Sequence, residues 1–308
     1  MKKIFIIHEN DEWIEPLRIH LFDLQIPFEE WHMDKININT LNDPPFGVFY
    51  NRMSASSHTR GHQYAPESTA ILLNWLEYHN RRIINNSRAL SLEISKCLQY
   101  NELQKIGIKI PKTIYATGKE KLLHLGKNFN LPFLTKHNRA GKGLGIRLFY
   151  DYFNFEKYVV SDEYEDSRDG ITLLQEYIKP RTDTIVRAEF VDSEFLYAVQ
   201  VDTSKGFELC PADECNLEEE YCPANATGNK FMILKSFSNP ILDQYKKVLK
   251  NNNIEIAGIE FVEDQNEKLY TYDINTNTNY NSVAENLSDL NGMKAIANFL
   301  VKELKKIN

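Results

Sequence analysis

Residues 258–264 have the sequence GIEFVED, and residues 270–279 have the sequence YTYDINTNTN. Both segments are rich in β-branched and aromatic residues, which predicts two strands. The polar residues 265–268 between them suit a short turn, so the two strands are expected to form an antiparallel hairpin. The hairpin would bring an acidic strand beside a strand that ends in polar residues.

One face of this hairpin is predicted to collect oxygen-bearing side chains. Side chains alternate along a strand, so Asp273, Asn275, Asn277 and Asn279 share a face. A hairpin loop with an even number of residues would place Glu260 on the same face. Carboxylate and amide oxygens without thiolate or imidazole suit Mg²⁺, which often takes substrate phosphates as further ligands. A metal site for a phosphate donor is therefore one interpretation, and a polar strand end on a solvated face is the other.

Length and composition restrict the function. A chain of 308 residues suggests about two domains. Its 42% hydrophobic and 12% aromatic content is typical of globular proteins, and a net charge of −7 argues against a protein that coats nucleic acid. No apolar run approaches the roughly 18 residues of a membrane span, and residues 1–8 are too short a candidate for a signal peptide. We expect a cytoplasmic protein with a small partner, no nucleic acid and no membrane.

Strands and helices alternate over the first ~90 residues, which predicts a parallel α/β layer. Ligands of such sheets bind beyond the carboxyl ends of the strands. A polar loop follows the strand predicted at residues 47–53, so Arg52, Ser54 and Arg60 are candidates to dock an anionic substrate group. A plain surface loop is an equally good interpretation.

A glycine-rich segment follows further along the chain. One helix is predicted over residues 87–106, and the sequence HNRAGKGLG at 137–145 lies between strands predicted at 132–136 and 146–150. Alternate glycines between two strands do not form a Rossmann or Walker motif. They suit a loop that closes over a polyphosphate, although a glycine-rich turn is often only structural.

Two later strands carry candidate ligand-binding groups. Residues 171–178 form an apolar strand that can present backbone groups to an adenine edge, with Glu176 accepting from its amine. Arg187 lies in a strand predicted at 184–191 and would be costly to bury unpaired, so a bound anion would satisfy it. An amphipathic helix at 293–307 is expected to pack on the domain surface. The less favoured interpretation is that it forms a dimer interface.

An insert at residues 203–230 contains Cys210, Cys215 and Cys222. The spacing lacks Cys-x-x-Cys, and the insert has no histidine, so free cysteines are favoured over zinc or redox use. We expect the insert to shape substrate access.

In their order along the chain, these motifs resemble those of ATP-grasp enzymes, nearest the RimK-like and glutathione-synthetase-like carboxylate–amine ligases. The resemblance covers essentially the whole chain and implies an α/β (α+β) ATP-grasp fold. It implies a pre-ATP-grasp α/β domain at residues 1–90, a central lid subdomain at 91–178 and a C-terminal subdomain at 179–308. The nucleotide cleft would lie between the last two. ATP and Mg²⁺ are the implied cofactors, with two ions and with Mn²⁺ as a substitute.

The resemblance also implies roles for individual residues. The implied metal ligands are Glu260, Asp273 and Asn275. The implied nucleotide-binding residues are Lys96, Lys136, Gly141, Gly143, Gly145, Gln175, Glu176, Tyr177, Ile178 and Asp183. The implied catalytic residues are Arg187, Arg139 and Lys142. The candidate substrate residues are Arg52, Ser54, Arg60 and Asn277.

Two departures from the family pattern fall at the substrate end of the pocket. The usual acid-x-Asn-x-x-Pro has no proline here after Asp273 and Asn275, and His137 stands where family lids often have proline. Neither departure removes a metal ligand or a phosphate lysine.

The resemblance implies that a carboxylate attacks the γ-phosphate of ATP and that an amine then displaces phosphate from the acyl phosphate. Small-molecule substrates, a peptide or a protein tail remain open as partners. Two other functions remain open. One is a kinase that phosphorylates a hydroxyl, and the other is a nucleotide-binding module without turnover.

Overall fold

The structure is a computed structural model that describes residues 2–141, 143, 145–204 and 230–307. Over these ranges the strands form three sheets. The predictions for Lys142 and for the cysteines of the insert lie outside the described residues.

The first sheet is parallel, as the alternation of strands and helices predicts. Its central strands β1 and β3 are almost wholly buried because helices cover both faces. The order is β2-β1-β3-β4, with β1 at Lys3–His8, β2 at Phe28–His32, β3 at Gly47–Asn51 and β4 at Arg82–Ile84. Helices α1 (Asp11–Asp23) and α2 (Ala65–Tyr78) and a 3₁₀ turn (Ser57–Arg60) connect these strands.

The single helix predicted at residues 87–106 is two helices in the structure. Helix α3 spans Ser87–Glu93, and helix α4 spans Lys96–Lys105. Ser95 interrupts the run because its backbone is extended and its side chain accepts from the amide of Leu98 as an N-cap. The break places Lys96 in the first turn of α4.

The second sheet is antiparallel. Its order is β5-β8-β6-β7, with β5 at Thr113–Thr117, β6 at Phe133–His137, β7 at Arg147–Phe149 and β8 at Ile171–Glu176. Helices α5 (Lys119–Gly126) and α6 (Tyr152–Val160) cover one face, where Phe133, Phe149 and Phe155 pack together. On the opposite face, Leu173 shares a buried cluster with Tyr100 and Leu103 of α4.

The third sheet is also antiparallel. Its order is β11-β10-β9-β12-β13, with β9 at Thr184–Val191, β10 at Glu194–Asp202, β11 at Phe231–Leu234, β12 at Ile256–Glu263 and β13 at Leu269–Asn275. Helix α7 (Ile241–Asn251) packs on one face through Tyr245, which contacts Phe190 and Phe261.

Strands β12 and β13 form the predicted hairpin, but the loop length is not what sets the alignment of the two strands. The residues between the strands are 264–268, an odd-numbered loop rather than the even one expected. A bulge in β13 at Tyr272, opposite the step from Glu260 to Phe261, shifts the pairing, and this shift places Glu260 directly opposite Asp273. Strand β13 also ends at Asn275, so residues 276–279 continue beyond the strand that was predicted to include them.

The chain ends in helices α8 (Ser282–Ser288) and α9 (Gly292–Lys306). Helix α9 returns to the first sheet, where Ile296 and Leu300 share a buried cluster with Ile4, Leu17 and Val48. The domain boundaries after residues 90 and 178 stay predictions. Within the described part of the chain, no helix is both long enough and apolar enough to cross a membrane.

The packing of α9 predicts the effect of Leu300→Ala. Leu300 is fully buried, so the substitution should lower the free energy of unfolding by about 2–5 kcal/mol through lost contacts and a cavity. Denaturant titration measures the change. Lys305→Ala, at an exposed position of the same helix, is the control and should stay within about 0.5 kcal/mol. Equal effects of the two variants would contradict the docking of α9.

Candidate active site

The paired hairpin strands bring two carboxylates and two lysines together. Asn275 Nδ2 donates to Glu260 Oε1 at 3.3 Å, and Asp273 lies opposite Glu260 in the strand pairing. Lys96 Nζ, from α4, donates to Asp273 Oδ1 at 2.8 Å. Lys136 Nζ, from β6, donates to the carbonyl of Tyr272 at 3.2 Å and lies over the Tyr272 ring. Elements from the second and third sheets therefore meet at one polar centre.

Burial and charge act against each other at this centre. Burial raises the pKa of Glu260, with Arg187 opposing and Asp273 adding to the shift. Burial also resists ionisation of Asp273, but Lys96 and Lys136 outweigh it, so the pKa of Asp273 is lowered. Burial lowers the pKa of Lys136, against the attraction of Asp273 and Glu260. The surroundings therefore favour the ionised form of Asp273 more than that of Glu260.

The donor atoms fit a hard divalent cation. Glu260, Asp273 and Asn275 offer carboxylate and amide oxygens, which are the ligands that Mg²⁺ prefers. Lys96 donates to one oxygen of Asp273, so its ammonium group competes by charge repulsion with a cation that binds this oxygen.

Arg187 extends the centre along β9. Its Nε donates to Glu189 Oε1 at 2.6 Å, and its Nη1 lies 3.3 Å from Glu260 Oε1. Gly258 on the neighbouring strand leaves space for the guanidinium, because a Cβ there would lie 2.4 Å from Arg187 Nε. Thr278 completes the network by donating to Glu189 Oε2 at 2.8 Å. Arg187 is therefore paired by protein carboxylates without a bound anion.

A cleft opens beside this centre, between the second and third sheets. The space in it that water-sized groups can enter is about 150 Å³. Apolar side chains such as Leu134 and Val262 line it together with Tyr272. Six of the predicted nucleotide-binding residues also line it: Lys136, Gln175, Glu176, Tyr177, Ile178 and Asp183.

Two of these cleft residues have further contacts. Gln175 Nε2 donates to the hydroxyls of Tyr100 and Thr113 at 2.8 and 2.9 Å. Glu176 Oε2 accepts from the backbone amide of Lys112 at 3.2 Å. Both side chains are thus oriented by neighbouring elements.

The glycine-rich segment lies against the first sheet. Gly143 and Gly145 have φ of 76° and 72°, in the left-handed region that glycine adopts without strain. A Cβ at Gly141 would only touch Ser56, at 3.4 Å. Arg139 makes a two-bond ion pair with Glu67 of α2, at 2.6 and 3.2 Å. Arg139 is therefore paired with a first-sheet helix, whereas the resemblance implies a catalytic role.

Arg52 is buried, and protein acceptors occupy its guanidinium. Its Nε donates to Asn277 Oδ1 at 3.0 Å, and its Nη2 donates to Asn279 Oδ1 at 2.7 Å and to the Thr278 carbonyl at 3.0 Å. Its Nη1 donates to the Trp13 carbonyl at 3.1 Å. The structure places Arg52 and Asn277, two of the candidate substrate residues, in direct contact with each other.

The other substrate candidates are also paired. Arg60 makes a two-bond ion pair with Glu9, at 2.6 and 3.2 Å, and lies 4.4 Å above the Trp13 ring. Ser54 Oγ lies 3.0 Å from Ser56 Oγ. Both side chains thus have partners from the N-terminal part of the chain.

Sequence reasoning missed the groups that position residues 276–279. Glu93 accepts from the backbone amides of Ala55 and Thr276, at 3.2 and 2.7 Å. Asn85 donates to the carbonyls of Ile256 and Thr276, at 2.8 and 2.9 Å. No local pattern reveals such contacts. Glu189 could have been found, since it stands two residues after Arg187 on the same strand face.

The lysine on Asp273 predicts a change in cation binding. Lys96→Met should tighten the binding of Mn²⁺, measured by calorimetry without other ligands, because the ammonium no longer holds Asp273 Oδ1. A charged hydrogen bond is worth about 1.5–3 kcal/mol, so a shift of roughly tenfold or more in Kd is expected. The exposed Lys112→Met should leave Kd unchanged. Weaker or equal binding by Lys96→Met would contradict this assignment.

The pairing of Arg52 predicts a large stability loss. Arg52→Gln leaves the side chains and carbonyl of residues 277–279 without their donor, and breaking such a buried network costs about 3–5 kcal/mol of unfolding free energy. Arg147→Gln, which breaks an exposed pair with Glu163, is the matched control and should cost under about 1 kcal/mol. Denaturant titration of both variants measures the two losses of unfolding free energy. Similar losses would show that Arg52 does not hold this segment.

Comparison with known proteins identifies the fold. No protein-family model matches the chain, and no curated protein sequence matches it. Among solved structures, the ATP-grasp ligase PsnB with minimal precursor, Mg and ADP is similar at TM-score 0.66 and 13% identity, over 98% of this chain and 97% of that one.

Two further structures show the same likeness. A RiPP-associated ATP-grasp ligase from Chryseobacterium gregarium, in complex with ADP and a leader and core peptide, has TM-score 0.66 and 16% identity over 98% and 97% of the two chains. The D-cycloserine synthetase DcsG has TM-score 0.65 and 11% identity over 98% and 99%. The chain therefore has the ATP-grasp fold along nearly its whole length.

Proposed function

We propose that this protein is an ATP- and Mg²⁺-dependent carboxylate–amine ligase that forms an amide through an acyl phosphate and releases ADP and phosphate. The proposal rests on the observation that the groups needed for this reaction adjoin one another. The apolar cleft, the two lysines, the facing carboxylates Glu260 and Asp273, and Arg187 follow one another along a single path. A nucleotide lying in the cleft would direct its phosphates toward the carboxylates.

The cleft residues would bind the nucleotide. Glu176 and the backbone at Tyr177 and Ile178 supply polar groups for an adenine edge, while Asp183 at the mouth suits the ribose hydroxyls. The glycines at 141, 143 and 145 allow backbone amides to approach the phosphates closely.

The polar centre would hold the phosphates. Glu260, Asp273 and Asn275 would bind Mg²⁺, which supplies charge neutralisation at the transferring phosphate. Lys136 lies between the cleft and the carboxylates and would contact phosphate oxygens. Lys96, once displaced from Asp273, has its ammonium within reach of the same phosphates. A second ion, and Mn²⁺ in place of Mg²⁺, belong to the same proposal.

Arg187 would position the carboxylate substrate. It is held by Glu189, so its guanidinium is oriented before substrate arrives, and its Nη1 points toward Glu260. From there it can neutralise a carboxylate that attacks the γ-phosphate and then becomes the mixed anhydride. Arg139 and Lys142 of the glycine-rich segment would add positive charge. For this, Arg139 would leave its ion pair with Glu67 and bind the substrate.

The partner we favour is a peptide. The PsnB and Chryseobacterium gregarium structures contain precursor or leader and core peptides, and both share this fold over nearly the whole chain. Small carboxylates and amines are the second option, since DcsG is a synthetase of a small molecule. A cytoplasmic location and a homodimer stay predictions.

The test is ADP formation with Mg²⁺, ATP and pooled carboxylates, including acidic peptides, with hydroxylamine present to trap the acyl phosphate. ADP and hydroxamate should appear together with one pool. Glu260→Gln and Asp273→Asn should reduce both products at least about 100-fold, because each removes several kcal/mol of charge stabilisation. Glu120→Gln, at an exposed position of α5, should have no effect.

The other outcomes discriminate between functions. A stable phosphorylated product without hydroxamate would show a kinase. Nucleotide binding without ADP formation from any pool would indicate a nucleotide-binding module without turnover. Either result would contradict the ligase proposal.

A further inference from the structure

A second cluster of chemically reactive side chains lies at the carboxyl end of β1, beside the middle of β2. His8 ends β1, and Glu30 lies in β2, which pairs with β1 in parallel register. Asp11 begins α1, three residues after His8. In parallel α/β layers, ligands bind beyond the carboxyl ends of the strands. None of these three residues takes part in the site described above.

His8 is buried and lacks a partner. It is 1% exposed, and neither ring nitrogen makes a hydrogen bond to any part of the chain that the structure describes. Its nearest charged neighbour is Glu30, with Nε2 at 3.5 Å from Oε2, which is too long for a hydrogen bond. Burial lowers the pKa of His8 to about 4, against the attraction of Glu30, so the ring is neutral near pH 7. A buried polar ring without partners is rare and needs an explanation.

The spacing of these atoms is that of ligands around one ion. Two ligands at about 2.0–2.2 Å from a shared ion, in tetrahedral or octahedral geometry, lie about 3.0–3.5 Å apart. The 3.5 Å between His8 Nε2 and Glu30 Oε2 is at the upper end of this range. One ligand atom each from His8, Asp11 and Glu30 lie within 4.8 Å of one another, and Asp11 is exposed and can move closer.

Two cations now neutralise the carboxylates. Arg18 donates to both oxygens of Glu30, at 2.7 and 2.9 Å, and Lys35 donates to Asp11 at 3.1 Å. A carboxylate oxygen keeps a further lone pair when it accepts from arginine, so Arg18 can remain as the group that orients Glu30. Lys35 is largely exposed, and its pair with Asp11 is weak, so it can give way to a competing ion.

We propose that His8, Asp11 and Glu30 bind a divalent transition-metal ion of the Zn²⁺ type. One imidazole nitrogen and two carboxylate oxygens form a donor set that suits Zn²⁺, whereas Mg²⁺ prefers oxygen ligands alone. The site leaves at least one coordination position for water or another ligand. It is separate from the Glu260–Asp273 centre and does not depend on the ligase proposal.

The experiment is calorimetric titration of the full chain with Zn²⁺ in excess Mg²⁺, which occupies hard oxygen sites. We expect one Zn²⁺ bound per chain at this site. His8→Gln and Glu30→Gln should weaken its Kd at least about tenfold, and His124→Gln, at an exposed position on α5, should leave Kd unchanged. Lys35→Gln should tighten Kd several-fold, since it removes the competing ammonium from Asp11.

Lys35→Gln keeps the test decisive even if a buried variant fails to fold, because Lys35 is exposed. Co²⁺ used as a spectroscopic probe should give visible absorption bands without a sulfur-to-metal band in the near ultraviolet. No bound Zn²⁺, a Kd that His8→Gln leaves unchanged, a Kd that Lys35→Gln does not tighten, or a sulfur band that reports cysteine ligation would each overturn the proposal.

Discussion

Two carboxylates buried next to each other are the constraint on which the site depends. Glu260 and Asp273 face each other across a hairpin, and such a pair is costly unless cations neutralise it. The cations come from different parts of the fold, with Lys96 on α4, Lys136 on β6 and Arg187 on β9. Neutralising the hairpin therefore requires the second and third sheets to meet. The cleft between them follows from that meeting.

The first sheet contributes at the other end of the hairpin. Residues 276–279 follow the end of β13 and do not pair with a strand. Their backbone groups therefore need other hydrogen-bond partners. Arg52, Glu93 and Asn85 supply these partners. Helix α9 then packs on the same sheet. The sheet that sequence patterns suggest as a separate layer is thus joined to the segment after β13 by buried hydrogen bonds.

The sequence predicts the parts of this arrangement that follow from local periodicity. Strand alternation is enough to place Asp273 and Asn275 on one face, and the parallel layer follows from alternating strands and helices. It does not predict the bulge at Tyr272, because an extra residue in a strand leaves the apolar pattern almost unchanged. An even-numbered loop would give the same register, but in the structure the bulge produces it.

Sequence-based prediction is also limited by side-chain pairing between residues that are distant in the chain. Arg52 and Arg60 look like anion-binding residues in the sequence, but acceptors distant in the chain use their donors in the fold. Arg139 likewise finds Glu67. His8 reads as the end of a buried strand, and only the arrangement of β2 and α1 around it reveals two nearby carboxylates. Each of these contacts depends on which elements become neighbours.

The most direct measurement is a crystal structure of the protein with Mg²⁺ and ADP. The account predicts nucleotide in the cleft lined by Glu176 and Ile178, and Mg²⁺ bound by Glu260, Asp273 and Asn275. It also predicts that Lys96 Nζ moves from Asp273 toward the phosphates. Nucleotide bound elsewhere, or an unchanged Lys96–Asp273 pair with no ion at the hairpin, would contradict it.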